Sequence, residues 1–309
     1  MTIEILQPGK LLDTCEAALA QRYTVHKLYE QPDPAAWLKA NGSRIRAVAG
    51  GNVDAGLLTQ LPNLEIIANF GVGYDNIDTK AAKAANIRVT NTPDVLNDAV
   101  AELAIGLMIA LGRRIVVADK FVRAGKWPGN NFGLSAELTG KTVGILGLGR
   151  IGKEIAARAQ ALKMRVVYYG RGRQPSVPHI YYDNLVDMAR DSDWLVIVAP
   201  GGKSTQGIVS RDVLEALGPE GRLVNVARGT LVDQPAMVEL LVNGGLAGAA
   251  LDVFDGEPEV PAELMDLDNV VLSPHHASAT RQTRDAMGAM LVANLDAHFA
   301  GEPLLSQVV

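Results

Sequence analysis

Short apolar or β-branched runs alternate with stretches of helical spacing along the chain. Before residue 100 the runs Ile3–Leu6, Ile45–Ala49, Glu65–Asn69 and Arg88–Thr90 read as strands. A second series opens after Lys141, with strands expected at Thr142–Leu146, Arg165–Tyr169, Trp194–Ala199, Arg222–Val226, Gly248–Val253 and Val270–Ser273. Strands this uniformly apolar, with helices between them, belong to parallel sheets covered on both faces. Between the two series one long apolar helix is expected from Asp98 to Val117, opened by Pro93 and the Asn97/Asp98 capping pair. A loop rich in Gly, Pro and Asn, with Trp127 and Pro128 in it, then runs from Gly125 to Gly133. A last helix is expected from about Arg281 to Phe299.

At 309 residues the chain exceeds what one hydrophobic core usually supports, so two domains are expected. Both are α/β, doubly wound parallel sheets. The second series of strands ends near Ser273 and leaves the last helix over. The expected arrangement is therefore a flavodoxin-like substrate domain made of residues 1–97 and 281–309, with a Rossmann-type dinucleotide-binding domain, residues 98–280, inserted into it.

Charge and composition narrow the partners. A net charge of −5 offers no basic surface for a phosphate backbone, so nucleic acid is not an expected partner. The opening Met1-Thr2-Ile3-Glu4-Ile5-Leu6 has no basic region ahead of a long apolar stretch, and Gln7-Pro8-Gly9 breaks it early. Nowhere do about eighteen apolar residues run together, so no membrane partner and a cytoplasmic location are expected. Cys15 is the only cysteine, which excludes an internal disulfide and any cysteine-based metal cluster, and no metal is expected.

One motif carries the cofactor. The strand Thr142–Leu146 runs into Gly147-Leu148-Gly149-Arg150-Ile151-Gly152 and then into a helix, Lys153–Leu162. Gly147 permits the tight turn, Gly149 lets the backbone approach a pyrophosphate, and Gly152 allows helix and strand to pack closely. An acidic residue near the end of the following strand would favour NAD; Tyr169-Gly170-Arg171-Gly172-Arg173 offers two guanidinium groups instead. Those suit a 2′-phosphate, so NADP, as NADPH, is the expected cofactor, with NAD still possible.

Three further segments fall at the carboxyl ends of later strands: Asn225-Val226-Ala227-Arg228-Gly229, Asp255-Gly256-Glu257-Pro258 and Ser273-Pro274-His275-His276-Ala277-Ser278. With the glycine motif, and with Asn69-Phe70-Gly71-Val72-Gly73-Tyr74-Asp75-Asn76-Ile77-Asp78 in the first domain, they resemble the D-isomer-specific 2-hydroxyacid dehydrogenase family. Within that family the glyoxylate/hydroxypyruvate reductases are the nearest match.

The resemblance implies reduction of a small 2-oxo acid, with Arg228, Glu257 and His275 as catalytic residues. A cation for the carboxylate and a proton donor for the carbonyl are what that chemistry needs. Arg228 supplies a planar fork, His275 the proton, and Glu257 a charge that favours the imidazolium and orients its ring. His276 is the rival donor, but the family pattern places the donor directly after proline. Val72 and Gly73 match the loop that binds the substrate carboxylate through backbone N–H groups, with Gly50-Gly51-Asn52 a weaker candidate beside it. Ala199, Pro200, Thr205, Val226, Ala227, Asp252 and Ala277 match cofactor-lining positions. A homodimer is implied as well, formed after the long helix.

Other readings compete. Phosphoglycerate dehydrogenases use the same three side chains, but nothing past Val309 suggests a regulatory extension. Formate dehydrogenases share the fold, yet Glu257 stands where a glutamine would be expected. A nucleotide-sensing corepressor of this fold would bind cofactor without turnover.

Overall fold

Five parallel strands form the first sheet: β1 Glu4–Gln7, β2 Thr24–Lys27, β3 Ala47–Ala49, β4 Ile66–Ala68 and β5 Arg88–Thr90, in the spatial order β2-β1-β3-β4-β5. In this computed structural model, which describes residues 2–309, the sheet belongs to one of two units, Met1–Leu96 with Ser278–Val309. Its residues alternate between two cores, as the period of a strand requires. Ile5, Ala47, Ala49, Ile66 and Ala68 pack with Leu291, Val292 and Leu295 of the helix Arg281–Ala300. Leu6, Val48, Ile67 and Val89 face the opposite cluster.

The helix Arg281–Ala300 is capped by Thr280, whose Oγ1 accepts from Thr283 N, and ends at Gly301 with φ +73°. It is tied to the helix Asp13–Ala20 and the turn after it through Thr14 to Asp285 at 2.7 Å and Tyr23 to Asp296 at 2.6 Å. Strand β2 was not expected. Thr24-Val25-His26-Lys27 is a half-buried edge strand with a single aliphatic residue, so it leaves no apolar run to read.

The second unit, Asn97–Ala277, carries seven parallel strands. They are β6 Thr142–Leu146, β7 Arg165–Tyr169, β8 Ile180–Tyr182, β9 Trp194–Ile197, β10 Arg222–Asn225, β11 Gly248–Leu251 and β12 Val270–Leu272, in the order β12-β11-β10-β9-β6-β7-β8. Strand order reverses between β6 and β9, and in sheets of this kind ligands bind outside the carboxyl ends at that reversal. The seventh strand, β8, is a correction to the expected six; three residues at a sheet edge carry too little pattern to be read.

A second correction concerns the long helix. It is two helices, Asn97–Gly112 and Ile115–Arg123, separated at Arg114, whose φ of +51° is left-handed. The break follows the point of closest packing, Gly112, where an added Cβ would meet Leu138 at 3.1 Å and Trp194 at 3.2 Å. The first helix is held against the sheet up to that point and buries Ala104, Leu107, Met108 and Leu111, whereas no residue of the second is buried. Several strands also end earlier than expected: β9 stops at Ile197 and β11 at Leu251, where the next residues leave the ladder to build loops. No helix among the described residues is long and apolar enough to cross a membrane, and no cluster of metal-ligating side chains occurs among them.

Candidate active site

The turn after β6 has the geometry its glycines suggest. Gly147 has φ +102°, and a Cβ there would press on the Ala199 backbone at 2.8 Å, so β6 and β9 close on each other at the switch point. Gly152 lies so near that a Cβ would stand 2.2 Å from the Gly147 carbonyl oxygen. Gly149 is different: nothing lies within 4 Å of its Cβ position, and it is the N-cap of the helix Arg150–Ala161. An open backbone face at a helix N-terminus, bordered by Arg150 and Ile151, is a cradle that fits a pyrophosphate.

Arg171 and Arg173 follow β7 and are both exposed, and neither pairs with a carboxylate among the described residues. Their loop is fixed to the glycine turn by a residue the sequence reading overlooked. Gln174 donates from Nε2 to Leu148 O at 2.7 Å, and its backbone N–H donates to the Tyr168 hydroxyl at 2.7 Å.

Three loops at the carboxyl ends of β10, β11 and β12 assemble the polar centre. His275 Nδ1 lies 2.7 Å from Glu257 Oε2, while Oε1 of the same carboxylate accepts from Phe254 N at 2.9 Å. The carboxylate is thereby fixed in direction, and the imidazole is left to use Nε2 toward a ligand. Arg228 follows β10. Asn225, buried at the end of that strand, donates to Arg228 O at 2.9 Å and accepts from Ala227 N at 3.0 Å, and Arg228 Nη1 reaches Ala227 O at 2.7 Å. Val226, Ala227 and Ala277 are buried beside these loops.

Asp252 is 1% exposed and is saturated from within. Its Oδ1 accepts from His276 N at 2.9 Å and from the Ser273 hydroxyl, its Oδ2 accepts from Ala277 N at 3.0 Å, and its carbonyl accepts from His275 N at 2.9 Å. This side chain therefore clamps the His275 turn, where φ is +48°. Thr205 is likewise engaged by its own loop, its Oγ1 donating to Pro200 O at 2.8 Å. Asn225 and Ser273 are contributors the sequence reading did not single out. A lone polar residue at the end of an apolar strand was the available signal for both.

In the first unit the carbonyls of Gly71, Val72 and Gly73, in the loop after β4, are all taken. Asn69 Nδ2 donates to Gly71 O at 3.1 Å and Gly73 O at 2.8 Å, and Asn91 Nδ2 donates to Val72 O at 3.0 Å. Among the described residues no acceptor meets the N–H groups of Val72 or Gly73, which are half-buried. Gly51 is packed beside Asn69 and Asn76, where a Cβ would lie 2.7 and 2.6 Å away.

Residues 105–277 match the NAD-binding domain of the D-isomer specific 2-hydroxyacid dehydrogenases. Over 311 aligned residues the chain is 46% identical to glyoxylate/hydroxypyruvate reductase A of Arabidopsis thaliana, covering 100% of this chain and 99% of that protein. The chain belongs to the D-isomer specific 2-hydroxyacid dehydrogenases. Among other members of the family, the hydroxyphenylpyruvate reductase of Plectranthus scutellarioides is 46% identical over 297 residues, 95% of either protein. The crystal structure of the NADPH-dependent glyoxylate/hydroxypyruvate reductase of Sinorhizobium meliloti, in complex with NADP and malonate, has a TM-score of 0.96 to this dehydrogenase. The identity is 42%, over 100% of this chain and 97% of that one.

Proposed function

We propose that this dehydrogenase reduces glyoxylate and hydroxypyruvate to the corresponding 2-hydroxy acids, with NADPH preferred over NADH. The observation that carries the reading is the 2.7 Å pair of His275 Nδ1 with a Glu257 carboxylate that is itself anchored on backbone. Such a pair holds an imidazole ready to give a proton from Nε2 and to be reprotonated there from solvent. Bound reduced nicotinamide supplies the hydride to the carbonyl carbon. Arg228, a fixed cation, holds the carboxylate and the carbonyl oxygen and stabilises negative charge as it develops there; His275 then protonates that oxygen.

Within the same reading, residues 98–280 form the cofactor domain. Gly147, Gly149, Arg150, Ile151 and Gly152 take the pyrophosphate, and Arg171 and Arg173 take the 2′-phosphate. Ala199, Pro200, Thr205, Val226, Ala227, Asp252 and Ala277 line the rest of the cofactor. Residues 1–97 and 281–309 form the substrate domain, whose unengaged N–H groups at Val72 and Gly73 suit a carboxylate. The corepressor and phosphoglycerate dehydrogenase readings have no observation of their own in their favour.

Steady-state oxidation of NADPH with glyoxylate and hydroxypyruvate tests the proposal, with hydroxyphenylpyruvate as a third substrate because a relative is named for it. Activity confined to the aryl substrate would overturn the choice of substrate, and no turnover with any of them would overturn the class.

A homodimer and a cytoplasmic location are part of the proposal. The helix Ile115–Arg123 and the segment after it leave Val122, Trp127 and Leu134 facing solvent, the last at 95% exposure. Apolar surface of this kind is a candidate interface between two copies. A monomeric mass by light scattering at micromolar concentration would refute the dimer.

A further inference from the structure

His276 sits beside the proposed proton donor and takes no part in the mechanism above. Its Nδ1 lies 2.7 Å from Ser273 Oγ, and Ser273 in turn contacts Asp252 Oδ1. The direction of this chain follows from counting protons. Asp252 is buried among donors, namely the N–H groups of His276 and Ala277 and the Ser273 hydroxyl, with His276 Nδ1 itself 3.5 Å from Oδ1, and a carboxylate that accepts from all of them has no proton to give. The single hydroxyl proton of Ser273 is therefore committed to Asp252. Its oxygen must then accept from His276, which fixes the His276 ring with the proton on Nδ1.

The chain ends where precision is needed. Asp252 holds three consecutive residues, accepting His275 N on its carbonyl at 2.9 Å and His276 N and Ala277 N on its carboxylate. These bonds span the one residue of the segment in the left-handed region, His275 at φ +48°, a conformation uncommon for residues other than glycine. From this turn the ring of His275 meets Glu257.

We propose that His276 is a positioning residue: its Nδ1–H locks the Ser273 hydroxyl onto Asp252, and Asp252 thereby holds the turn that aims His275 at Glu257. This rests on the reading of His275 as proton donor.

The test is a set of variants assayed for kcat, for KM of glyoxylate and NADPH, and for thermal midpoint. His276→Leu removes the donor and is expected to lower kcat by about tenfold, the loss of one hydrogen bond's worth of organisation, with both KM values within about twofold. His276→Asn carries an amide nitrogen at the position of Nδ1 and is expected to recover to within about threefold of wild type. Ser273→Ala breaks the same chain from its other end and should lose at least as much. The double variant His276→Leu/Ser273→Ala should be no slower than Ser273→Ala alone, because both act through one link.

Wild-type kcat in His276→Leu, equal defects in His276→Leu and His276→Asn, or additive losses in the double variant would each overturn the proposal. If His276→Leu fails to fold, Ser273→Ala with wild-type turnover overturns it as well. His275→Ala separates the two layers. Turnover surviving in that variant removes the proton-donor reading, whereas turnover lost there but intact in His276→Leu removes only the positioning role.

Discussion

A β-carbon placed on Gly229 would stand 1.8 Å from the carbonyl carbon of Phe254. The backbone that carries Arg228 is thus in direct contact with the backbone that leads to Glu257, and no side chain can separate them. Gly229→Ala is expected to cost more than about 2 kcal/mol of stability, since overpacking against backbone cannot be relieved by a rotamer change. Urea unfolding monitored by circular dichroism checks it, and an unchanged midpoint would contradict the contact. The surviving folded protein should also turn over slowly, because Arg228 and Glu257 move apart together.

Arg228, Glu257 and His275 are expected to respond differently to replacement. His275→Ala should lower kcat by about 10²–10⁴ while leaving the NADPH dissociation constant nearly unchanged, as loss of a general acid does. Glu257→Gln retains an acceptor for Phe254 N but no charge, and should give a smaller loss of the same kind. Arg228→Ala should raise the KM for the 2-oxo acid as well as lower kcat, because the ground-state carboxylate is also held there. Stopped-flow turnover with fluorescence titration of NADPH separates these patterns.

For the cofactor, Arg171 and Arg173 are expected to favour NADPH over NADH by roughly one to three powers of ten at low salt, through charge-assisted contacts each worth about 1.5–3 kcal/mol before screening. Added salt should shrink the preference. Replacing both with alanine should weaken NADPH and leave NADH nearly untouched. Equal wild-type specificity constants for the two nucleotides would show that these side chains do not read the phosphate.

Acid should weaken the first unit through Glu16. Burial alone would raise its pKa, but Lys27 Nζ at 2.6 Å, Gln7 Nε2 at 2.7 Å, Leu11 N at 3.0 Å and the Tyr29 hydroxyl together pull it down to about 2. A depressed carboxyl contributes stability that is present above its unfolded value, about 4.5, and is lost as pH falls toward 2. The contribution is on the order of 2 kcal/mol after allowance for solvent screening. Unfolding free energies of wild type and Glu16→Gln should therefore converge between pH 4.5 and 2, and a constant difference across that window would contradict the assignment.

The glycine turn was legible because each of its glycines answers a separate steric demand, and the central strands were legible because they are apolar on both faces. Edge strands β2 and β8 were not, since an edge needs neither length nor apolar residues. The break at Arg114 was hidden for another reason: the helical spacing continues through it, while burial stops at Gly112, which packs against Leu138 and Trp194. Asp252 was noted in the sequence as a cofactor-lining residue. What it does inside the protein depends on two backbone N–H groups and a hydroxyl more than twenty residues further on, which no local pattern reports.

Strand β6 occupies an interior place in its sheet, hydrogen-bonded to β7 on one side and β9 on the other, whereas β8 closes one margin with three residues. Amide exchange should follow that layout. Protons on β6 and β9 would exchange only when the whole unit opens, and those on β8 through local fraying. The loop carrying Arg171 and Arg173 leaves β7, between these extremes. Its slowing on addition of NADPH, beside an unmoved β6, would report how far nucleotide binding spreads order outward from a turn that is already rigid.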